Sequence, residues 1–138
     1  MSYKYLEHST DAFIEVKAKN LEEAFSVAGK SVVETIIDLK NIQEVEKKSI
    51  KVKGRNIQNL LYNWLEEIVT ITITDGFAIS NFSVNIKKNV EYEIVSTISG
   101  EKLDLKKHNF KVEIKSPTFH LMEIKENDEV IMRYLLDL

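Results

Sequence analysis

The chain has 138 residues, suited to one domain that buries roughly two-thirds of its extended surface around a single core. Hydrophobic residues make up 43% and charged residues 30%, an ordinary globular balance, and a net charge of −3 gives no bulk attraction to nucleic acid or anionic membrane. The absence of cysteine excludes disulfides, thiolate metal sites and cysteine nucleophiles. With no N-terminal apolar signal and no apolar run near the ~18 residues of a membrane span, the expected setting is the cytoplasm, with no membrane partner.

One proline and four glycines predict mostly regular structure with short connections. Tyr3 to Glu7 and Phe13 to Ala18 read as strands, the second alternating Ile14, Val16 and Ala18 inward against Glu15 and Lys17 outward. Asn20-Leu21-Glu22-Glu23 reads as a capping box that opens a helix reaching about Ile37, with Leu21, Ala24, Phe25, Ala28, Val32 and Ile36 along its apolar stripe. Ser49 to Lys53 is strand-like, and Gly54-Arg55-Asn56 turns the chain into a second helix carrying Ile57, Leu60, Leu61, Trp64, Leu65 and Ile68. That helix is expected to run to about Thr72, against the strand propensity of Val69 to Ile73, and to break at Asp75-Gly76.

Strands are then expected at Phe77 to Ile86, Glu91 to Ile98, Lys111 to Ser116, Leu121 to Lys125 and Val130 to Leu136, with a bulge near Asn81. The order predicts an α+β fold: a mainly antiparallel mixed sheet with two helices packed on one face, in a single domain over residues 1–138. Trp64 is expected in the core, and the lysines of the 47–55 stretch on a solvated strand edge.

An apolar strand running to the last residue implies a docked end, since chain ends fray unless tied down. There the Asp137 side chain stands beside the terminal carboxylate of Leu138, two hard oxygen donors for a divalent cation. The complement lies in His8-Ser9-Thr10-Asp11. If strand pairing brings Asp11 beside Asp137, both ends build one acidic metal site.

Several blocks together resemble the archease family. His8-Ser9-Thr10-Asp11 is similar to its N-terminal His-x-x-Asp motif, and Leu21-Glu22-Glu23-Ala24-Phe25 to the start of its first helix. Asp38-Leu39, Gly100-Glu101, His108, the segment from Ile114 to His120 and the ending Asp137-Leu138 match later blocks, so that the resemblance covers essentially the whole chain. Phe13 stands where the family often has a smaller residue, and Pro117 and Phe119 replace the more usual alanine and tyrosine.

The resemblance implies a helper protein, not a free-standing enzyme. Such proteins activate the RNA-splicing ligase that joins tRNA halves, promoting its guanylylation and its multiple turnover; the tRNA halves are met only through the ligase. It also implies a divalent metal ion, calcium with magnesium or manganese as substitutes, held by Asp11, Asp137 and Leu138. Leucine has no side-chain donor, so Leu138 contributes only backbone or terminal carboxylate oxygen.

Each residue also has a plainer reading. Asp11 suits a turn, Asp137 a solvated end, and His8 a hydrogen-bonded strand terminus, since a histidine ligand is unusual in an all-oxygen site. Asp38 either caps the first helix or faces the acidic site. Lys115 and His120, at a strand exit, either meet a phosphate or the ligase surface, or are a solvated lysine and a structural histidine. The alternatives for the whole protein are a chaperone-like or structural interaction module without a metal role, and a metal-dependent phosphoesterase. The second is disfavoured, because no HExxH, nucleophile elbow or phosphate-binding glycine loop is present.

Overall fold

A computed structural model of the chain describes residues 1–6 and 10–138. Strands β1 (Ser2–Leu6) and β2 (Asp11–Ala18) precede helix α1 (Leu21–Ile36), and strand β3 (Glu46–Gly54) precedes helix α2 (Ile57–Val69). A π-helical turn (Thr70–Thr74) extends α2, and β4 (Phe77–Lys88), β5 (Tyr92–Lys102), β6 (Ser116–Glu126) and β7 (Val130–Asp137) follow. Every strand pair is antiparallel.

The α+β class and the two helices agree with the sequence reading, but the strands divide between two sheets. One has the order β1-β2-β7-β6, the other β3-β5-β4. Helix α1 packs against β2 and β4 and helix α2 against β3 and β6, so each helix touches both sheets and one apolar cluster runs through all layers. Alternation along a strand shows which face is buried; it does not show which strands share a ladder.

Local signals place the helices. The Asn20 side chain accepts the Glu23 N–H at 2.9 Å, while the Glu23 carboxylate accepts the N–H of Lys19 at 3.1 Å. Asn56 caps α2 in the same way, accepting from the Asn59 N–H at 2.9 Å. At the other end of α2 the β-branched run widens the helix instead of ending it. The Asp75 N–H reaches back five residues to the Thr70 carbonyl at 3.0 Å, and Gly76, at φ +65°, takes the left-handed turn out. Trp64 is fully buried, with its indole N–H on the Phe25 carbonyl at 2.8 Å. The lysines at 47, 48, 51 and 53 are exposed on β3, an edge strand, as expected.

The expected strand at 111–116 is not formed. Its Lys111 N–H goes to the Ile36 carbonyl and its Lys115 N–H to the Asp137 carbonyl, each at 2.8 Å, so the segment bridges α1 to β7 without a ladder of its own. Pairing begins at Ser116, where β6 starts. Among the described residues no helix is long and apolar enough to cross a membrane.

The register shift at Ile79/Asn81 confirms the expected bulge, and Gly100 sits opposite it. A Cβ on Gly100 would lie 1.9 Å from the Ala78 carbonyl oxygen, a backbone atom that cannot step aside. Gly100→Ala is therefore expected to cost about 3 kcal/mol, the upper part of the range for overpacking. Urea unfolding measures it; an unchanged midpoint would mean that the two strands separate more easily than this contact implies.

Candidate functional site

The β2–β7 ladder runs from Ala18 opposite Val130 to Asp11 opposite Asp137. Directly opposed residues in an antiparallel pair project from the same face. Ala12, Ile14, Val16 and Ala18, with Val130, Met132, Tyr134 and Leu136, fill the core-facing side. By the same alternation Asp11 and Asp137 share the outward face at the end of the ladder, Asp11 half-buried and Asp137 exposed. Further along that face Glu15 opposes Arg133, with a 2.8 Å ion pair, and Lys4 approaches at 3.4 Å. Burial pushes the Glu15 carboxyl up, but the Arg133 and Lys4 contacts outweigh it and hold it below the usual range.

Leu138 has the opposite parity to Asp137 and packs against the core. It lines a depression of about 340 Å³ with Tyr5, Asp11, Ala12, Glu34, Thr35 and Lys111, and Asp137 stands opposite Asp11 at its edge in the ladder. The Tyr5 hydroxyl and Thr35 Oγ1 are hydrogen-bonded at 3.0 Å, and the Tyr3 hydroxyl donates to the Glu34 carboxylate. Burial, then the Glu34 bond, raises the Tyr3 phenol well above its usual range.

The last turn of α1 carries no basic residue, so its carbonyls are satisfied from the 103–115 segment. The Asp38 N–H donates to the His108 carbonyl at 2.8 Å. The Glu34 carbonyl, four residues back, accepts from Lys111 Nζ at 2.9 Å. The Asp38 carboxylate holds Asn109 Nδ2 at 2.9 Å and Lys111 Nζ at 3.2 Å, and these two partners, Asn109 first, lower its pKa. Asp38 thus stands just beyond α1 as the anchor of this segment and does not line the depression.

His108, fully buried, ties the same segment to β5. Its Nδ1 accepts the Asp104 N–H at 3.0 Å, which leaves Nε2 as the protonated nitrogen, donating to Glu101 at 2.9 Å. Glu101 also accepts the Gln43 N–H at 3.0 Å and the Lys107 ammonium at 2.9 Å. The Gln43 backbone bond, then Lys107 and His108, pull its carboxyl down to about 2.

Lys115 is exposed, beside a separate groove of about 260 Å³ that Glu66, Thr70, Glu113 and Pro117 also line. Only its main chain joins the acidic end, through the bond to Asp137. His120 lines neither cavity. It is exposed on a broad bulge of β6 between Thr118 and Glu123, its N–H on Thr118 Oγ1 at 3.0 Å. There Leu121 is held at φ 62° and Phe119 stacks on Tyr62 with centroids 4.5 Å apart. His8 lies outside the described residues. Sequence reading singled out neither Lys111 nor Glu34. The available signal was a helix end without a basic residue, which needs a cation from elsewhere in the chain.

Two antiparallel sheets share two helices, and Asp11 and Asp137 stand opposite each other where the second and last strands meet. The family model described as the archease protein family (MTH1598/TM1083) matches residues 3–138, and the chain belongs to that family. It is 33% identical to protein archease of Pyrobaculum islandicum, covering 99% of this chain and 95% of that one. It is 36% identical to protein archease of Methanosarcina barkeri, covering 88% and 85%. The solution structure of protein 1598 of Methanobacterium thermoautotrophicum superposes with a TM-score of 0.81 at 27% identity, covering 99% of both chains.

The Glu101 network has a pH signature. Its folded carboxyl titrates near 2 and an unfolded one near 4.5, so its stabilisation is complete above about 4.5 and disappears as pH falls toward 2. The stability difference between wild type and Glu101→Gln, from urea midpoints, is expected to shrink steadily across that window. A difference that stays constant from pH 7 to pH 3 would contradict the assignment.

Proposed function

We propose that this chain activates an RNA-splicing ligase, promoting its guanylylation and multiple turnover, and catalyses no reaction of its own. Family membership supports the reading, and the observation that carries it is the Asp11–Asp137 register with Leu138 next in the chain. Like charges directly opposed across two strands are unfavourable, and a cation between them removes the penalty. Among the described residues no group of three or more His, Cys, Asp or Glu side chains is arranged to hold a metal ion. The donor set that the family resemblance implies is smaller: the Asp11 and Asp137 carboxylates plus the backbone or terminal carboxylate oxygen of Leu138. All are hard oxygens, which fit calcium, magnesium or manganese better than zinc, and they leave positions for water or a partner's oxygens.

Asp11 and Asp137 would hold the ion from paired strands whose register is locked by the core. When bound, it supplies charge neutralisation for phosphate oxygens at the ligase's nucleotide centre. Lys115, its main chain fixed to Asp137, offers a cation to an anionic partner from the adjoining segment. Transfer RNA halves enter only through the ligase, and the cytoplasm is the compartment this role requires.

Exposed Phe119 and Leu121 on the β6 bulge favour a second reading, an interaction module with no metal role. Calcium titration calorimetry and a multiple-turnover RNA-ligation assay with the cognate ligase separate the two. Wild type is expected to bind one calcium ion and stimulate ligation, with Asp11→Asn and Asp137→Asn each binding about tenfold more weakly or worse, since each loses one of two side-chain carboxylates. Full stimulation by both variants would remove the carboxylates from the function and favour the interaction module.

A further inference from the structure

We propose that Lys111 is a built-in counter-charge that sets the cation affinity of the acidic end, an inference that rests on the metal reading above. Lys111 lines the same depression as Asp11 and Leu138. Its ammonium is held on the Glu34 carbonyl at 2.9 Å and the Asp38 carboxylate at 3.2 Å, and its N–H is held on Ile36 at 2.8 Å. Three anchors to the end of one helix make it a fixed charge. A lysine on a free surface would swing away from an arriving cation; this one stays.

The charge balance follows from those contacts. Asp11 and Asp137 attract a divalent ion, with Glu34 adding a carboxylate that is held by the Tyr3 hydroxyl; Lys111 opposes it, and Asp38 partly cancels Lys111. Lys111→Gln removes the opposing charge, while Asp38 keeps its own charge and its bond from Asn109, so the balance shifts toward the cation. Asp38→Asn leaves Lys111 uncompensated and disfavours it. A unit charge and a divalent ion about 10 Å apart in a water-like medium give roughly a fourfold change in affinity at low salt. Loosening of the α1 end predicts something different, because a damaged site binds more weakly in both variants. A site kept weak by its own lysine is one that a partner's phosphates can complete.

Calcium titration of the whole protein tests this at low and at high salt. Lys111→Gln is expected to bind about fourfold more tightly than wild type and Asp38→Asn more weakly by a smaller factor, since Asp38 does not line the depression, with both differences shrinking at high salt. Lys111→Arg, which keeps the charge, is expected to match wild type. Thermal unfolding without calcium checks that each variant is folded. Equal or weaker binding by folded Lys111→Gln, with wild type still binding one ion, overturns the counter-charge while leaving the metal reading intact. No binding by wild type or any variant overturns both.

Discussion

Pairing of β2 with β7 in one fixed register joins two distant parts of the chain, and the acidic end, the docked Leu138 and the anchored loop depend on it. The register is held from both faces. On the inner face a one-residue slip would turn buried Ile14 and Val16 into solvent, at about 1.5–3 kcal/mol each, and would misplace Met132 and Tyr134 if β7 moved instead. On the outer face Glu15, buried among Arg133 and Lys4, tolerates only the alignment that keeps those cations opposite. Asp11 and Asp137, at the end of such a ladder, are brought opposite each other by packing elsewhere in it.

The end of α1 presents a second constraint, and its solution shapes the surroundings of the acidic pair. A helix leaves its last carbonyls without partners, and this one has no basic residue in its final turn. The 103–115 segment meets that need by crossing the helix end, so Lys111, donating to the Glu34 and Ile36 carbonyls, lines the same depression as Asp11. The segment is fixed at its other side by His108, whose ring bridges the Asp104 N–H and the Glu101 carboxylate. Gly100, next to Glu101, lets β4 and β5 approach at the bulge where a side chain would collide with backbone.

Edge strands expose unpaired backbone groups, and β6 handles this with irregularity. Between Thr118 and Glu123 its ladder to β7 is interrupted, and Leu121 adopts a backbone conformation that branched side chains rarely take. Phe119 stacks on Tyr62 of α2, so the protrusion packs against that helix despite its exposure. Lys115 and the β6 bulge thus lie on one continuous stretch of chain that leaves the acidic end through the Lys115–Asp137 bond.

The helices, the cap at Asn20, the bulge near Asn81 and most strands were legible in the sequence because each is written in local periodicity or turn chemistry. Asn20 announces a helix start, Gly54-Arg55-Asn56 a turn into the next helix, Asp75-Gly76 a stop, and alternating apolar residues mark each strand's buried face. The pairing of Asp11 with Asp137 was reached from the family resemblance and from an apolar strand at the chain end. Tertiary structure alone decided the division into two sheets, the loss of the expected strand at 111–116 and the place of Lys111. In the last two cases the reason is the same: a backbone N–H goes to whichever carbonyl lacks a partner nearby. For residues 111 and 115 those carbonyls belong to Ile36 and Asp137, and no local pattern in the segment records them.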